Sequence, residues 1–490
     1  MLLPELARHA FVVAVVQQEE IEPPAGVNVL RYQDYVSRRD EFDVTVCQIG
    51  NNLHHEFAYR EAVEHPSVVV LHDIVLHHLI AEMTIARGDG DGYSKALAAS
   101  HGQWGEALAD ARRAGFFGEI GNFLFPASAE LTRHSKQVIV HNEYARRRLL
   151  ENGVTAPIVV IDHPLAPINV GAADRVPAGT SLGFVASDVV LGMFGFVTEA
   201  KRPQAVFEAF AQALSVRPEL RLLLVGEPAP NIDIEEIARQ FDVPAEAWKT
   251  TGYVSDAEFD RYLMAVDRVI NLRYPTAGES SGPLMRILAL GKPVAVSDFA
   301  QFAELDDDLV VKVPLGGQEI PALVRFMSAP ADEPESAERR IAWVKERGNL
   351  ERIAREYREV LASERGAVTD ARKATATPIL PRIEMLGAIP TGIDRSRSIT
   401  IRVRNAGDAT LRSTDFGGLE YRMIVKVFVD DRQLVDQWAQ LPRDLRPGDT
   451  AEIEISFRFV GSTCRVELVH AIEGIPVLEE RPFASAEVVF

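Results

Sequence analysis

Cysteine is almost missing from this sequence. Among 490 residues only Cys47 and Cys464 occur, far apart. A disulfide framework and a cysteine-based metal site are therefore not expected, and a reducing compartment fits. No apolar run reaches the ~20 residues of a membrane-spanning helix. The opening residues, MLLPELARHAFVVAVVQQEE, lack a basic region ahead of the apolar stretch and a small-residue cleavage site. No secretory signal is expected there, and the cytoplasm is the expected location. Positive charge is in deficit: 52 Lys and Arg face 71 Asp and Glu, a formal net charge of −19. Nucleic acid is excluded as the main partner, because phosphate backbones call for clustered Lys and Arg. Whole-surface attraction to anionic lipid is excluded on the same ground. The run Arg146, Arg147 and Arg148 leaves a peripheral membrane contact open but unsupported, and reads more simply as a solvated helix face.

A Gly-rich turn behind the first strand is also lacking. The chain opens on Leu2-Leu3-Pro4-Glu5-Leu6-Ala7, which reads as a helix, where a doubly wound domain usually opens on a strand and such a turn. The expectation is that either the start is truncated or this domain lacks its first strand.

What is present is ordinary in bulk: 47% hydrophobic and 25% charged residues, as in soluble globular proteins. At ~150 residues per domain the length predicts about three domains. Continuous Val/Ile runs at 11–16, 44–49, 68–71 and 138–140 are the pattern of parallel strands covered on both faces. Helical stretches, such as Glu56 to Glu64 and Glu143 to Glu151, lie between them. The alternation resumes with a strand at 189–194, a helix at 203–216, a strand at 221–225 and a helix at 233–241. A strand at 249–254, a helix at 256–265, a strand at 309–313 and one charged helix at 337–363 complete it. Residues 366–381, rich in Ala, Thr and Pro, read as a linker. Beyond it the period changes to two: Ile399, Ile401 and Val403, then Ile453, Ile455 and Phe457, alternate with polar residues. That is an antiparallel sandwich of Ig-like size without paired cysteines.

The stretch from Arg273 to Asp298 carries the chemistry. It reads as strand end, polar loop, short helix, turn and strand. Pro283 suits the first helical turn, with Ser281 or Gly282 as cap, and Gly291 suits the left-handed residue after the helix. A helix N-terminus at the carboxyl end of a parallel strand is an anion site. Glu279 stands in front of it. A carboxylate is a poor phosphate ligand, so a hydroxyl-rich group beside the phosphate is expected, and a sugar phosphate combines the two. The same residues also read as a capped surface loop with no ligand.

Lys201 and Arg202 open a helix, where the helix dipole disfavours cations and an anionic partner such as a diphosphate is a natural explanation. An exposed basic pair is the plainer alternative. His72 ends a buried strand and is expected in a cleft, while His77 and His78 read as packing or surface residues. Asp306, Asp307 and Asp308 read as a surface turn, and Gly88 to Gly92 as a loop between helices.

Taken together, Gly195 to Pro203, Gly252-Tyr253-Val254-Ser255 and Gly278 to Val294 resemble retaining glycosyltransferases of family 4 in order and spacing. The resemblance covers roughly residues 1–365. It implies an α/β fold of two facing Rossmann-like domains (GT-B), at 1–165 on the acceptor side and 166–365 on the donor side. The linker at 366–381 and the Ig-like all-β sandwich at 382–490 follow. It implies metal-independent transfer from a nucleotide-sugar donor to a glycan or lipid-linked sugar, with retention, and no cofactor. His72, Lys201 and Glu279 would serve the chemistry. Donor contacts are implied for Gly195, Lys201, Arg202, Tyr253, Val254, Arg273, Glu279, Ser280, Ser281, Gly282 and Arg286. Two positions depart from the family: Phe196 stands where an arginine is usual, and Arg286 fills the slot of a second glutamate. The expectation is a glycosyltransferase of surface polysaccharide or glycoconjugate assembly. The alternative is a non-catalytic protein that binds a sugar nucleotide or acts as a scaffold.

Overall fold

The computed structural model describes residues 2–17, 21–115, 119–165, 183–185, 187–363, 383–390, 396–406, 421–429, 432–439, 445–458, 463–472 and 482–489. They fall into two compact units. The first gathers described residues of Met1–Ile74, Leu131–Pro314 and Glu319–Ala374, the second those of Val75–Glu130, Leu315–Gln318 and Thr375–Phe490.

The first unit holds two larger parallel sheets. The strands of one are β3 (Val46–Ile49), β4 (Val68–Leu71), β5 (Gln137–Val140) and β6 (Ile158–Val160), in that spatial order. A separate parallel pair, β1 (Val13–Val16) and β2 (Asn28–Arg31), precedes them. The other sheet contains β7 (Val189–Phe194), β8 (Leu220–Val225), β9 (Trp248–Thr250), β10 (Arg268–Asn271), β11 (Val294–Ser297) and β12 (Val311–Val313). Its order is β12-β11-β10-β7-β8-β9. From β7 the chain steps to β8 on one side, and later returns to β10 on the other. The carboxyl ends of β7 and β10 therefore flank a topological switch point, where open α/β sheets bind ligands.

Continuous apolar strands are covered on both faces. Leu191, Met193, Leu222 and Leu224 face a core with Val206, Phe207 and Phe210 of the Pro203–Val216 helix. Val190, Leu223 and Val269 face another core with Leu284, Ile287 and Leu288 of the Gly282–Ala289 helix. The opening helix, Leu2–Ala7, packs Leu6 with Ile353 and Tyr357 onto Val68, Val70 and Ile139 of the first sheet.

Three elements differ from expectation. The charged helix at 337–363 is two helices, Pro334–Arg347 and Leu350–Ser363. Gly348 ends the first, and the Asn349 side chain accepts the Arg352 N–H at 2.9 Å to cap the second. A helix at Glu319–Ser328 escapes the periodic reading altogether. The strand at 249–254 is only Trp248–Thr250, because Gly252 turns the backbone at φ +67°.

In the second unit, short helices lie between residues 77 and 130. Gly88 to Gly92 is not a free loop: the Asp89 side chain accepts the Gly92 N–H at 2.7 Å and caps the Gly90–His101 helix. His77 is buried, with Nδ1 2.6 Å from the Phe125 carbonyl and Nε2 2.6 Å from the Tyr93 hydroxyl. The remaining strands form two antiparallel sheets, β13-β14-β17 and β16-β15-β18-β19. In sequence these are Ile383–Pro390, Ser396–Asn405, Tyr421–Val429, Arg432–Ala439, Thr450–Arg458, Thr463–Ile472 and Pro482–Val489. Ile399, Ile401 and Val403 of one sheet share a core with Val425, Val427, Val466 and Leu468 of the other, so the sheets form a β-sandwich. The expected linker at 366–381 lies outside the described residues.

Candidate functional site

At the end of β7, Gly195 takes φ +82°, and the chain turns through Glu199–Lys201 into the Pro203–Val216 helix. The Lys201 ammonium folds back to donate to the Phe194 carbonyl and is only 4% exposed as a residue. A Cβ on Gly195 would stand 2.9 Å from that nitrogen, so the close approach depends on glycine. Burial, reinforced by the Arg273 charge, holds the Lys201 pKa well below the usual lysine range. Arg202 has a partner already. From φ +63° its guanidinium donates to both Glu319 oxygens, at 2.9 and 2.7 Å. An anion opposite Arg202 is thus present within the chain.

The loop after β10 is tied internally. The Ser297 hydroxyl accepts the Arg273 N–H at 2.9 Å. Glu279 receives the Thr276 hydroxyl at 2.7 Å and the Ala277 N–H at 2.9 Å, while Arg273 Nε lies 3.1 Å from its other oxygen. Gln301 donates to Thr276 Oγ1 and to the Glu279 carbonyl, both at 2.9 Å. Ser281 caps the Gly282–Ala289 helix by accepting the Leu284 N–H at 3.2 Å. Ser280 and Gly282 flank that cap. Lys201, Arg273, Glu279 and this helix start are therefore gathered along the ends of β7 and β10.

The first sheet meets the same loop. Ile74 donates its N–H to the Ala277 carbonyl at 2.8 Å, and Asn142 its side-chain amide to the Gly278 carbonyl at 3.0 Å. His72, at the end of β4, has Nε2 2.8 Å from Gln48 Oε1. Its ring centroid lies 5.2 Å from that of His141, 6.1 Å from His163 and 6.4 Å from His55. Burial, and then the neighbouring imidazoles, push His72 down to about 3, and burial pushes His141 down to about 4. Asp73 accepts the Asn51 N–H at 2.8 Å. Burial and the Glu279 charge push its carboxyl up to about 7, against the Asn51 N–H and Arg273. Among the described residues no three His, Cys, Asp or Glu side chains have the geometry of a metal site.

On the far side of the Gly195 loop, a Cβ on Gly226 would lie 2.5 Å from the Gly195 carbonyl oxygen, and Gly226 bridges to Gly252. Tyr253 is 85% exposed and Phe196 55% exposed, whereas Val254 packs into the core. Arg286 turns to the Asp256–Ala265 helix. Its Nη1 lies 3.3 Å from Asp256 and 3.5 Å from Asp260, and its guanidinium sits 5.4 Å above the Phe259 ring.

Two solved structures resemble the chain in three dimensions. One is HepE of Anabaena, determined in complex with UDP and glucose: 17% identity over 69% of this chain and 86% of that one, TM-score 0.50. The other is sucrose-phosphate synthase of Thermosynechococcus elongatus: 15% identity over 74% of this chain and 92% of that one, TM-score 0.52. The chain has the GT-B fold. No protein-family model matches the sequence, and no curated protein does.

In this GT-B chain, sequence reasoning noted Asp73 only as the neighbour of His72 and missed Asn142, His141, His163 and Gln301. A signal existed for some of them. His72-Asp73 and His141-Asn142 occupy equivalent positions directly behind the apolar strands β4 and β5. Overlaying the strand ends would have found both pairs. Gln301 reaches Thr276 from 25 residues away, a separation no local pattern reports.

Proposed function

We propose that this protein transfers a sugar from a nucleotide-sugar donor to a hydroxyl of a glycan or lipid-linked sugar. We assign the reaction retention of anomeric configuration, independence of metal, and a role in surface polysaccharide or glycoconjugate assembly in the cytoplasm. One observation carries the reading. Two basic side chains, the buried Lys201 and the partly buried Arg273, adjoin a capped helix start and a structured carboxylate, Glu279, at the switch point of a GT-B sheet. The basic side chains and the helix N-terminus suit a leaving diphosphate, whose charge grows as the glycosidic bond breaks. Glu279, held by Thr276, the Ala277 N–H and Arg273, suits sugar hydroxyls and would orient the anomeric carbon. His72 would face the transferred sugar, and Tyr253 and Val254 the nucleobase.

The test is incubation with UDP-glucose and a panel of other nucleotide sugars and acceptors, with and without EDTA. Nucleoside diphosphate release and the anomeric proton coupling of the product are the readouts. Absence of turnover with every donor would reject the enzyme. An inverted product or a requirement for divalent metal would reject the mechanism. A second reading, binding without turnover, is favoured by Arg286: it stands in place of an acid and is committed to Asp256 and Asp260. Tight donor binding with no transfer would decide for that reading.

A further inference from the structure

The β1–β2 pair and the β3-β4-β5-β6 sheet share one core. Val12 beside β1, Val46 of β3, Val68 of β4 and Ile139 of β5 all pack into it, beneath Leu6 of the opening helix. Yet among the described residues β1 pairs with β2 alone, and β3 with β4 alone. Hydrogen bonds fix which edge of each strand is left over. The Val12 carbonyl accepts the Asn28 N–H at 3.1 Å, on the side of β2. The Thr45 and Ile49 carbonyls accept the Val68 and His72 N–H groups at 3.0 and 2.9 Å, on the side of β4. Successive residues of an extended strand turn their backbone groups to opposite edges. Val13 and Val15 therefore point away from β2, and Val46 and Gln48 away from β4. The Gln48 carbonyl agrees, since it lies 2.9 Å from His55 Nδ1 on that side. Burial marks the same edges. β4 and β5 are buried along their whole length, whereas all four residues of β1 are half-buried, as is Val46, and Gln48 is exposed. Two Val-rich strands of one layer thus keep an unmatched backbone edge each, a costly arrangement for a sheet interior.

We propose that the place between β1 and β3 takes an apolar strand running parallel to β1, joined to the chain ahead of Leu2. The opening helix argues for that source. A parallel neighbour of β1 needs a crossover of about a dozen residues lying on a face of the sheet. Leu2 to Val12 already forms most of such a connection: the Leu2–Ala7 helix lies on the shared core and leads into β1. The added strand would meet the backbone of Val13 and Val15 on one side and of Val46 on the other. Its side chains would cover the half-buried valines of β1 and β3, so Val, Ile and Leu are the residues it calls for. The proposal is independent of the glycosyl-transfer reading.

The experiment isolates the protein from its native host, reads its intact mass and N-terminal sequence, and follows hydrogen exchange by mass spectrometry. The same exchange is measured on residues 1–490 alone. Peptides covering 11–17 and 44–50 report the two edges. The natural form should carry an apolar segment ahead of Met1, and both peptides should exchange about tenfold or more slowly than in residues 1–490. A proline placed in the middle of that segment should return both peptides to the fast rate, because it removes a ladder hydrogen bond. A natural form that starts at Met1 overturns the proposal, as does an extended form whose two peptides exchange no more slowly. Slow exchange at both peptides in residues 1–490 alone also overturns it, since the two edges would then be satisfied without a further strand. A separate polypeptide that copurifies and protects the same peptides would give the place to a partner and overturn the proposed source. No readout involves a sugar nucleotide, so failure here and failure of the transfer reading are told apart.

Discussion

Asn142 joins the two sheets of the first unit: its side-chain amide donates to the Gly278 carbonyl at 3.0 Å, while its own oxygen accepts the Ala145 N–H at 2.8 Å. One residue thus caps the Glu143–Glu151 helix and holds the loop that carries Glu279. The two duties separate by substitution. Asn142→Ser keeps an N-cap acceptor, so its urea stability should stay within about 0.5 kcal/mol of wild type, whereas Asn142→Ala should lose about 1 kcal/mol. Both should weaken UDP-glucose binding to a similar degree. If only the alanine variant binds weakly, the Gly278 contact is idle.

Arg286 and Asp260 should behave as a coupled pair. Arg286→Ala leaves a buried carboxylate without its cation and should cost about 1–3 kcal/mol. The double variant with Asp260→Ala should be less destabilised than the sum of the singles. A double-mutant cycle by urea unfolding measures this, and additivity within about 0.3 kcal/mol would dismiss the pairing.

Lys201 predicts a conflict between stability and binding. Its folded pKa is depressed, so its contribution is full above the unfolded value of about 10.4 and falls as pH drops towards the folded value. Burying this basic group is therefore a burden at pH 7. Lys201→Met should raise the urea midpoint at pH 7, with the advantage shrinking towards pH 10.5, and should abolish UDP binding. A lower midpoint at pH 7 would show that the Phe194 hydrogen bond outweighs desolvation.

Asp73 has the opposite sign. With its pKa raised from 3.8 to about 7, its contribution is full below pH 3.8 and is lost as pH rises through 7. Asp73→Asn keeps an acceptor for the Asn51 N–H and removes the charge. The variant should gain stability over wild type between pH 4 and 7, levelling off above that at roughly 4 kcal/mol or less. Chemical unfolding across that range decides, and a constant difference would mean the carboxyl titrates normally.

The elements were legible where the signal is local. Glu143–Glu151 and Asp256–Ala265 are bounded by caps from Asn142 and Ser255, the latter a full capping box with Glu258. The Pro203–Val216 helix follows from its apolar spacing. Gly348 and Asn349 were equally local, but a continuous charged pattern on either side hid the break. At the site, the Ser281 cap and the Glu279 loop were readable as a motif. The partners of Arg202 and Arg286 were not. Glu319 lies 117 residues from Arg202, and Asp256 lies 30 residues from Arg286. Such pairings depend on how helices stand around the sheet, and a motif reports only what a cation could meet. The proximity of three histidines is hidden for the same reason: His72, His141 and His163 converge only once β4, β5 and β6 are neighbours.

Gly195, Gly226 and Gly252 divide the labour of the second sheet's rim unevenly with the residues beside them. All three have positive φ, and a methyl group on Gly226 would strike the Gly195 carbonyl oxygen. Phe196 and Tyr253, one step along the chain, face solvent. In a library randomised over these loops, the glycines should survive as fixed letters, while the two aromatic positions accept a broad alphabet. The rim is a rigid frame with interchangeable fittings, and a change of ligand preference can be sought at Phe196 and Tyr253 without redesigning the backbone that carries them.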